Sequence, residues 1–236
     1  MAKDGITCII AGAGRGKRFG KEIPKSFFRI EGRTLLARSI ESINIIDESI
    51  EFIVLVPSGW EEKAEEKLAA EVPDAECRVI AGGNSRQQSV NIGLDEIKGA
   101  RLILIHDACR PFVSPGLVRK VVDAGMEFRA AVPVLQATET LARIRDERLE
   151  GIVPRERVVR IQTPQAFDPE IIREAYDTAE ESIRTATDES SLVLAAGLPV
   201  KVVEGEIWNI KVTFKDDIKV ALSFLTEKKL DLAESE

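Results

Sequence analysis

Cations set among glycines open this sequence. Ile9-Ile10-Ala11-Gly12-Ala13-Gly14-Arg15-Gly16-Lys17-Arg18-Phe19, followed by Pro24-Lys25, joins an apolar run to a glycine-spaced loop with several positive side chains. Glycines let a backbone turn its N–H groups toward one point and let a ligand approach closely. Lysine and arginine beside such amides make that point a receptor for phosphate. The dinucleotide fingerprint G-x-G-x-x-G fails, because Lys17 or Phe19 stands where its third glycine belongs. The Walker loop fails too: Ala11 takes the place of its first glycine, and Arg18 follows Gly16-Lys17 in place of Ser or Thr. What remains is a polyphosphate cradle with Arg18 and Lys25 as its cations. That pattern suits nucleotidyl transfer, in which the α-phosphate is attacked and pyrophosphate leaves. The plainer alternative is a strand-to-helix turn with solvated charges.

Three further places carry candidate chemistry. Asp107 follows the apolar run Leu102 to Ile105, and a carboxylate there is a natural Mg2+ ligand, since that ion takes one or two carboxylates plus substrate phosphates. The competing role is a turn or helix-cap aspartate. His106 is the only histidine, and with no G-x-S-x-G elbow in the chain it is expected to be a structural hydrogen bonder. Arg110 could clamp a substrate phosphate. Gly82-Gly83-Asn84 with Ser89 could meet a nucleobase edge through backbone and short polar groups. Lys211 is a lone charge in Asn209-Ile210-Lys211-Val212-Thr213, ahead of a final helix. Trp60 and Trp208 are expected to be packing residues.

The elements that must hold these residues alternate. Strand-like runs at Thr7 to Ala11, Phe52 to Val56, Arg78 to Ala81, Leu102 to Ile105 and Ala130 to Val134 are separated by helical patterns. Ser58 with Glu61 predicts a capping box, and Ser114-Pro115 a cap followed by the first helical position. The order predicts a doubly wound, mostly parallel α/β sheet of the Rossmann-like kind, with ligands outside the carboxyl ends of its strands. The glycine loop, Gly82 to Arg86 and His106 to Pro111 would then share one edge. Between Thr138 and Arg155 the rhythm changes to alternation about a polar turn, a β-hairpin signature. The expected organisation is a single domain, 1–236, with a hairpin arm, 136–157, inserted in it. A two-stranded ribbon is marginal alone, so a second copy of the chain is its expected partner. Helices are expected to start at Asp168-Pro169 and Thr187-Asp188-Glu189, with a strand from Pro199 to Val203.

Composition narrows the function. The chain has 236 residues, a net charge of −7 and a hydrophobic fraction of 44%, enough for a core and too acidic for a general nucleic-acid binder. Cys8, Cys77 and Cys109 form no metal or disulfide spacing, which fits a reducing cytoplasm. No apolar run reaches membrane-spanning length.

Taken in order, these segments resemble the 2-C-methyl-D-erythritol 4-phosphate cytidylyltransferase family. The motifs that carry the resemblance are Ala11 to Arg18 with Pro24-Lys25, Gly82 to Val90, His106 to Pro111, and Gln162-Thr163-Pro164-Gln165-Ala166-Phe167. Thr187-Asp188-Glu189 and Val203 to Thr213 complete the set. The resemblance implies a homodimeric, cytoplasmic enzyme that moves CMP from CTP to methylerythritol phosphate with Mg2+. It implies Arg18, Lys25 and Lys211 as catalytic cations and Asp107 as the metal ligand. Gly12, Ala13, Gly14, Gly16 and Ala108 would hold the nucleotide, and Gly83, Asn84 and Ser89 the cytosine. Arg110, Thr163 and Thr187 would face the acceptor, and Thr140 (or Thr138) with Arg155 would reach into the partner's site. Trp208 stands where some relatives have an aspartate that assists the metal, so the resemblance carries over Asp107 and leaves a second metal carboxylate open. A sister enzyme acting on ribitol 5-phosphate and a non-catalytic nucleotide-binding module are the alternatives.

Overall fold

The computed structural model describes residues 5–14, 23–47, 49–178 and 186–224. Its strands are β1 (Ile6–Ala11), β2 (Arg29–Ile30), β3 (Arg33–Thr34), β4 (Glu51–Val56), β5 (Glu76–Ala81), β6 (Leu102–Asp107), β7 (Ala130–Gln136), β8 (Leu141–Arg145), β9 (Arg148–Val153), β10 (Val159–Ile161), β11 (Gln165–Phe167) and β12 (Lys201–Glu204). Its helices are α1 (Leu35–Asn44), α2 (Glu61–Glu71), α3 (Arg86–Asp95), α4 (Pro115–Phe128), α5 (Pro169–Thr178) and α6 (Glu189–Ala195). A helical stretch also covers 217–224.

The main sheet has eight strands in the order β10-β7-β11-β6-β1-β4-β5, with β12 also paired to β7. β5, β4, β1 and β6 run parallel, and Ile10 lies beside both Val54 and His106. β11 and β10 enter antiparallel. Each is only three residues long, too short for a periodic signal in the sequence.

Side-chain alternation explains the double winding. Cys8 and Ile10, Phe52 and Val54, Leu102 and Leu104 face one way, into a cluster with α1, α2 and α4. Ile9, Ile53, Leu55, Ile103 and Ile105 face the other way, into a cluster with α3, α5 and α6. A strand apolar at every position can sit only between two such layers. Trimming one of these side chains, such as the fully buried Ile103, to alanine costs about 2–5 kcal/mol.

Side-chain caps start most of the helices. The side-chain oxygens of Thr34, Ser85, Ser114 and Asp188 accept from the amides of Ala37, Gln88, Leu117 and Ser191. The capping box predicted at Ser58 and Glu61 does not form. Gly59, at φ 84°, turns the chain there, Trp60 N donates to Pro57 O, and α2 begins after Trp60 without a side-chain cap.

β8 and β9 pair only with each other, as a hairpin whose turn, Asp146-Glu147, has both φ angles positive. Ile144, Leu149 and Ile152 on this ribbon are 70%, 76% and 65% exposed.

Candidate active site

The loops after β1, β5 and β6 touch one another, and glycines make the contact possible. Gly12 N donates to Leu55 O at 2.9 Å, and a Cβ on Gly12 would lie 2.8 Å from that carbonyl and 3.2 Å from Ala108 Cβ. A Cβ on Gly82 would lie 2.3 Å from Ala13 Cβ. Both positions are therefore restricted by close approach. Gly14 is exposed with open space around it. In the loop after β5, Ser89 Oγ accepts from Gly83 N and donates to Ser85 O, while Asn84 N donates to Gln88 Oε1. Asn84 itself is exposed.

Asp107 ends β6 beneath these loops and faces three cations. Lys211 Nζ lies 2.8 Å and Arg110 Nε 3.6 Å from Oδ2, and Arg86 Nε lies 3.2 Å from Oδ1. Burial alone would raise this carboxyl, but Arg86, Lys211 and Arg110 hold it well below the usual carboxylate range. Arg110 and Lys211 come from different segments that are laced together. Arg110 Nη1 donates to Asn209 O, Val212 N donates to Cys109 O, and Asn209 Nδ2 donates to Thr163 O.

His106 is buried beside this cluster. Its Nε2 faces Arg110 O at 3.0 Å, and a carbonyl can only accept, so Nε2 carries the proton. Nδ1 then accepts from the Thr163 hydroxyl, whose oxygen accepts from Asp107 N. Burial pushes the imidazole down to about 4, so it is neutral near pH 7. Its part is to hold Asp107, Arg110 and Thr163 in register.

Lys25 opens a short 3-10 turn through Phe27, next to Ser26, whose hydroxyl donates to Gly12 O. The Lys25 ammonium lies close enough to the Cys109 thiol to act on it electrostatically. Burial pushes that thiol up to about 11, and Lys25 draws it the other way. The structure therefore brings Gly12, Ala13, Ala108, Lys25, Arg110, Thr163, Lys211 and Asp107 together around one sheet edge. Thr187 lies exposed just ahead of α6. Thr140 and Arg155 are exposed at the base of the hairpin, where Arg155 Nη1 donates to Thr138 O. Arg18 and Gly16 lie outside the described residues. Trp60 packs against Phe27, with ring centroids 4.9 Å apart, but Trp208 is 52% exposed and is not the packing residue expected.

Sequence reasoning passes over Arg86 and Glu189. Arg86 Nη1 lies 2.6 and 2.8 Å from the two oxygens of Glu189, which is fully buried. The signals were the places of Arg86 within Gly82 to Val90 and of Glu189 within Thr187-Asp188-Glu189; their pairing left none, because they lie 103 residues apart.

Among the described residues no three His, Cys, Asp or Glu side chains gather as a metal cluster. Asp107 offers an ionised oxygen pair at this edge. That donor set fits Mg2+ only if phosphate oxygens complete the coordination, which is the ion's habit at nucleotide sites.

Fold and site together define a doubly wound α/β protein whose sheet edge concentrates positive charge around one carboxylate. A family model described as 2-C-methyl-D-erythritol 4-phosphate cytidylyltransferase matches residues 6–227. A protein of that name from Thermus thermophilus is 38% identical over 217 residues, 92% of this chain and 95% of its own length. One from Alkaliphilus metalliredigens is 34% identical over 228 residues, 95% of this chain and 94% of its own. A crystal structure of the Thermus thermophilus enzyme matches with a TM-score of 0.76 at 35% identity, covering 93% of this chain and 98% of that one. That of 4-diphosphocytidyl-2C-methyl-D-erythritol synthase from Anaerococcus prevotii matches with a TM-score of 0.81 at 30% identity, covering 94% and 96%. This chain belongs to the 2-C-methyl-D-erythritol 4-phosphate cytidylyltransferase family.

Proposed function

We propose that this protein transfers CMP from CTP to 2-C-methyl-D-erythritol 4-phosphate, forming CDP-methylerythritol for isoprenoid precursor synthesis and releasing pyrophosphate. The observation that carries the reading is the set of Arg86, Arg110 and Lys211 around Asp107, directly below the glycine loops. An oxygen of the acceptor phosphate attacks the α-phosphorus, and the bond to the β-phosphate oxygen breaks. The attacking oxygen is already anionic, so no general base is required, consistent with a neutral His106. Catalysis is then positioning and charge stabilisation.

Lys25, Lys211 and Arg18 are assigned to the charge at the reacting phosphates. Of the three cations on Asp107, Lys211 is the most exposed, at 41% against 21% for Arg86 and 11% for Arg110, so its ammonium is the one best placed to meet an anion. Asp107 would hold Mg2+ together with triphosphate oxygens, and the ion would neutralise charge on the leaving pyrophosphate. Gly12, Ala13, Gly14, Gly16 and Ala108 are assigned to CTP, Gly83, Asn84 and Ser89 to its base, and Arg110, Thr163 and Thr187 to the acceptor. The reading includes a cytoplasmic single-domain homodimer joined through the 136–157 arm, with Thr140 and Arg155 acting across the interface. The exposed Ile144, Leu149 and Ile152 support that arm.

The test is pyrophosphate release from CTP and Mg2+ with each of two acceptors. Turnover of methylerythritol phosphate is expected, and turnover of ribitol 5-phosphate alone would overturn the assignment. Lys25→Ala should lower turnover roughly 10²–10³-fold, the scale of losing one transition-state donor, with an unchanged melting temperature. Wild-type activity in that variant would remove Lys25 from the mechanism.

A further inference from the structure

Two buried carboxylates, Asp107 and Glu189, are joined through one guanidinium. Arg86 is the first residue of α3 and Glu189 the first residue of α6. Arg86 Nη1 binds both Glu189 oxygens, at 2.6 and 2.8 Å, and Arg86 Nε binds Asp107 Oδ1 at 3.2 Å. Tyr176 OH donates to Glu189 Oε1 at 3.3 Å. The adjacent Gln87 Nε2 donates to Ala186 O. Asp188 caps α6 and also accepts from Gln165 Nε2 at 2.7 Å. The first turn of α3 thus grips the segment 186–189 by two side chains in succession.

This grip divides the Asp107 carboxylate. Oδ1 is turned to a guanidinium that is itself tied to Glu189, and Oδ2 is turned to the half-exposed Lys211. Lys211 can swing away to meet a phosphate, and Arg86 has no such freedom. Its charge is buried and compensated by two carboxylates, and removing one partner of such an arrangement leaves an uncompensated charge. The loop that carries Gly83 and Asn84 does not depend on this contact, because its bonds run from Gly83 and Asn84 to Ser89 and Gln88 within α3.

We infer that Arg86 and Glu189 are a positioning pair. They hold Asp107 by Oδ1 and fix the 186–188 segment, with Thr187, at a set distance from the nucleotide loops. Neither touches a reacting atom in this arrangement. The inference rests on the reading above that Asp107 serves the phosphates and Thr187 the acceptor. Its consequence is a split: loss of the pair should damage use of the acceptor while sparing binding of CTP in the absence of Mg2+, which does not draw on Asp107.

Arg86→Lys is the sharper test, because lysine keeps the charge but lacks the planar fork that spans two carboxylates. In that variant kcat/KM for methylerythritol phosphate should fall roughly 10²-fold, the scale of a small misplacement of reacting groups. The Kd for CTP measured without Mg2+ should stay within about threefold, as expected for weakly coupled sites. Amide exchange at Ser190 and Ser191, whose N–H groups donate to Gln165 Oε1 and Asp188 Oδ1, should quicken. Glu189→Gln, which keeps the shape and loses the charge, should give the same three results and serves if Arg86→Lys fails to fold. A parallel loss of metal-free CTP affinity, or wild-type kinetics with wild-type exchange, would overturn the inference. If the wild-type protein turns over neither acceptor, the proposed activity falls, and exchange alone decides the clamp: unchanged protection in both variants would refute it.

Discussion

Burial of His106 between the Thr163 hydroxyl and the Arg110 carbonyl sets its charge state, and that has a measurable cost in acid. In the unfolded chain the imidazole takes a proton near its ordinary value of 6.5, whereas in the folded protein burial holds it down to about 4. Between those values the unfolded state binds more protons, so stability falls as pH drops from 6.5 toward 4. A shift of this size corresponds to about 3 kcal/mol in total. His106 is the only histidine, so no other side-chain type ordinarily titrates between about pH 5 and 6.5. Thermal melts across that interval should show a falling melting temperature, and His106→Gln should flatten the slope. A flat wild-type profile would show that the ring is not held neutral. Asp107 behaves differently: three cations hold its carboxyl below the ordinary 3.8, so its contribution is lost only in stronger acid than that. Both roles come from neighbours distant in sequence, Thr163 for the histidine and Lys211 for the aspartate.

At the scale of elements, the site is a meeting of strand-end loops, and two small residues decide whether they meet. Gly82 lets the loop after β5 lie against Ala13 in the loop after β1; a methyl group there would come within 2.3 Å of the Ala13 Cβ. Gly82→Ala must push one loop off the other. It should cost about 1–3 kcal/mol of stability, as overpacking does, and should weaken CTP binding when measured by calorimetry. Retained CTP affinity would show that the contact between the loops does not shape the nucleotide site. The helix starts at Ser114 and Asp188 were legible because a capping side chain acts within a few residues. Ser58 misled for the same reason: its spacing to Glu61 is right, but Gly59 turns the chain between them.

For the whole molecule, the proposed assembly turns on the hairpin. β8 and β9 pair with no other described strand and expose Ile144, Leu149 and Ile152. Apolar side chains gathered on a ribbon are the mark of a contact surface. Leu149→Asp combined with Ile152→Asp should leave the fold within about 0.5 kcal/mol per site, since both positions are already in water. In sedimentation equilibrium the wild-type protein should run as a dimer, and the pair should shift it toward monomer. Activity should fall with the dimer, because Thr140 and Arg155 are assigned to the partner's site. An unshifted dimer would move the interface elsewhere.

The sequence alone determined the layered fold, the glycine loops and the place of Asp107 at a strand end. Each depends on near neighbours: apolar alternation, a glycine's missing Cβ, a carboxylate following a buried run. The hairpin was equally legible from its alternation about a polar turn. Only the tertiary structure decided which cations surround Asp107, that Lys25 reaches Cys109, and that Arg86 is bound to Glu189. Charges 103 residues apart leave no periodicity to read. They become partners only once the sheet has set the distance between α3 and α6.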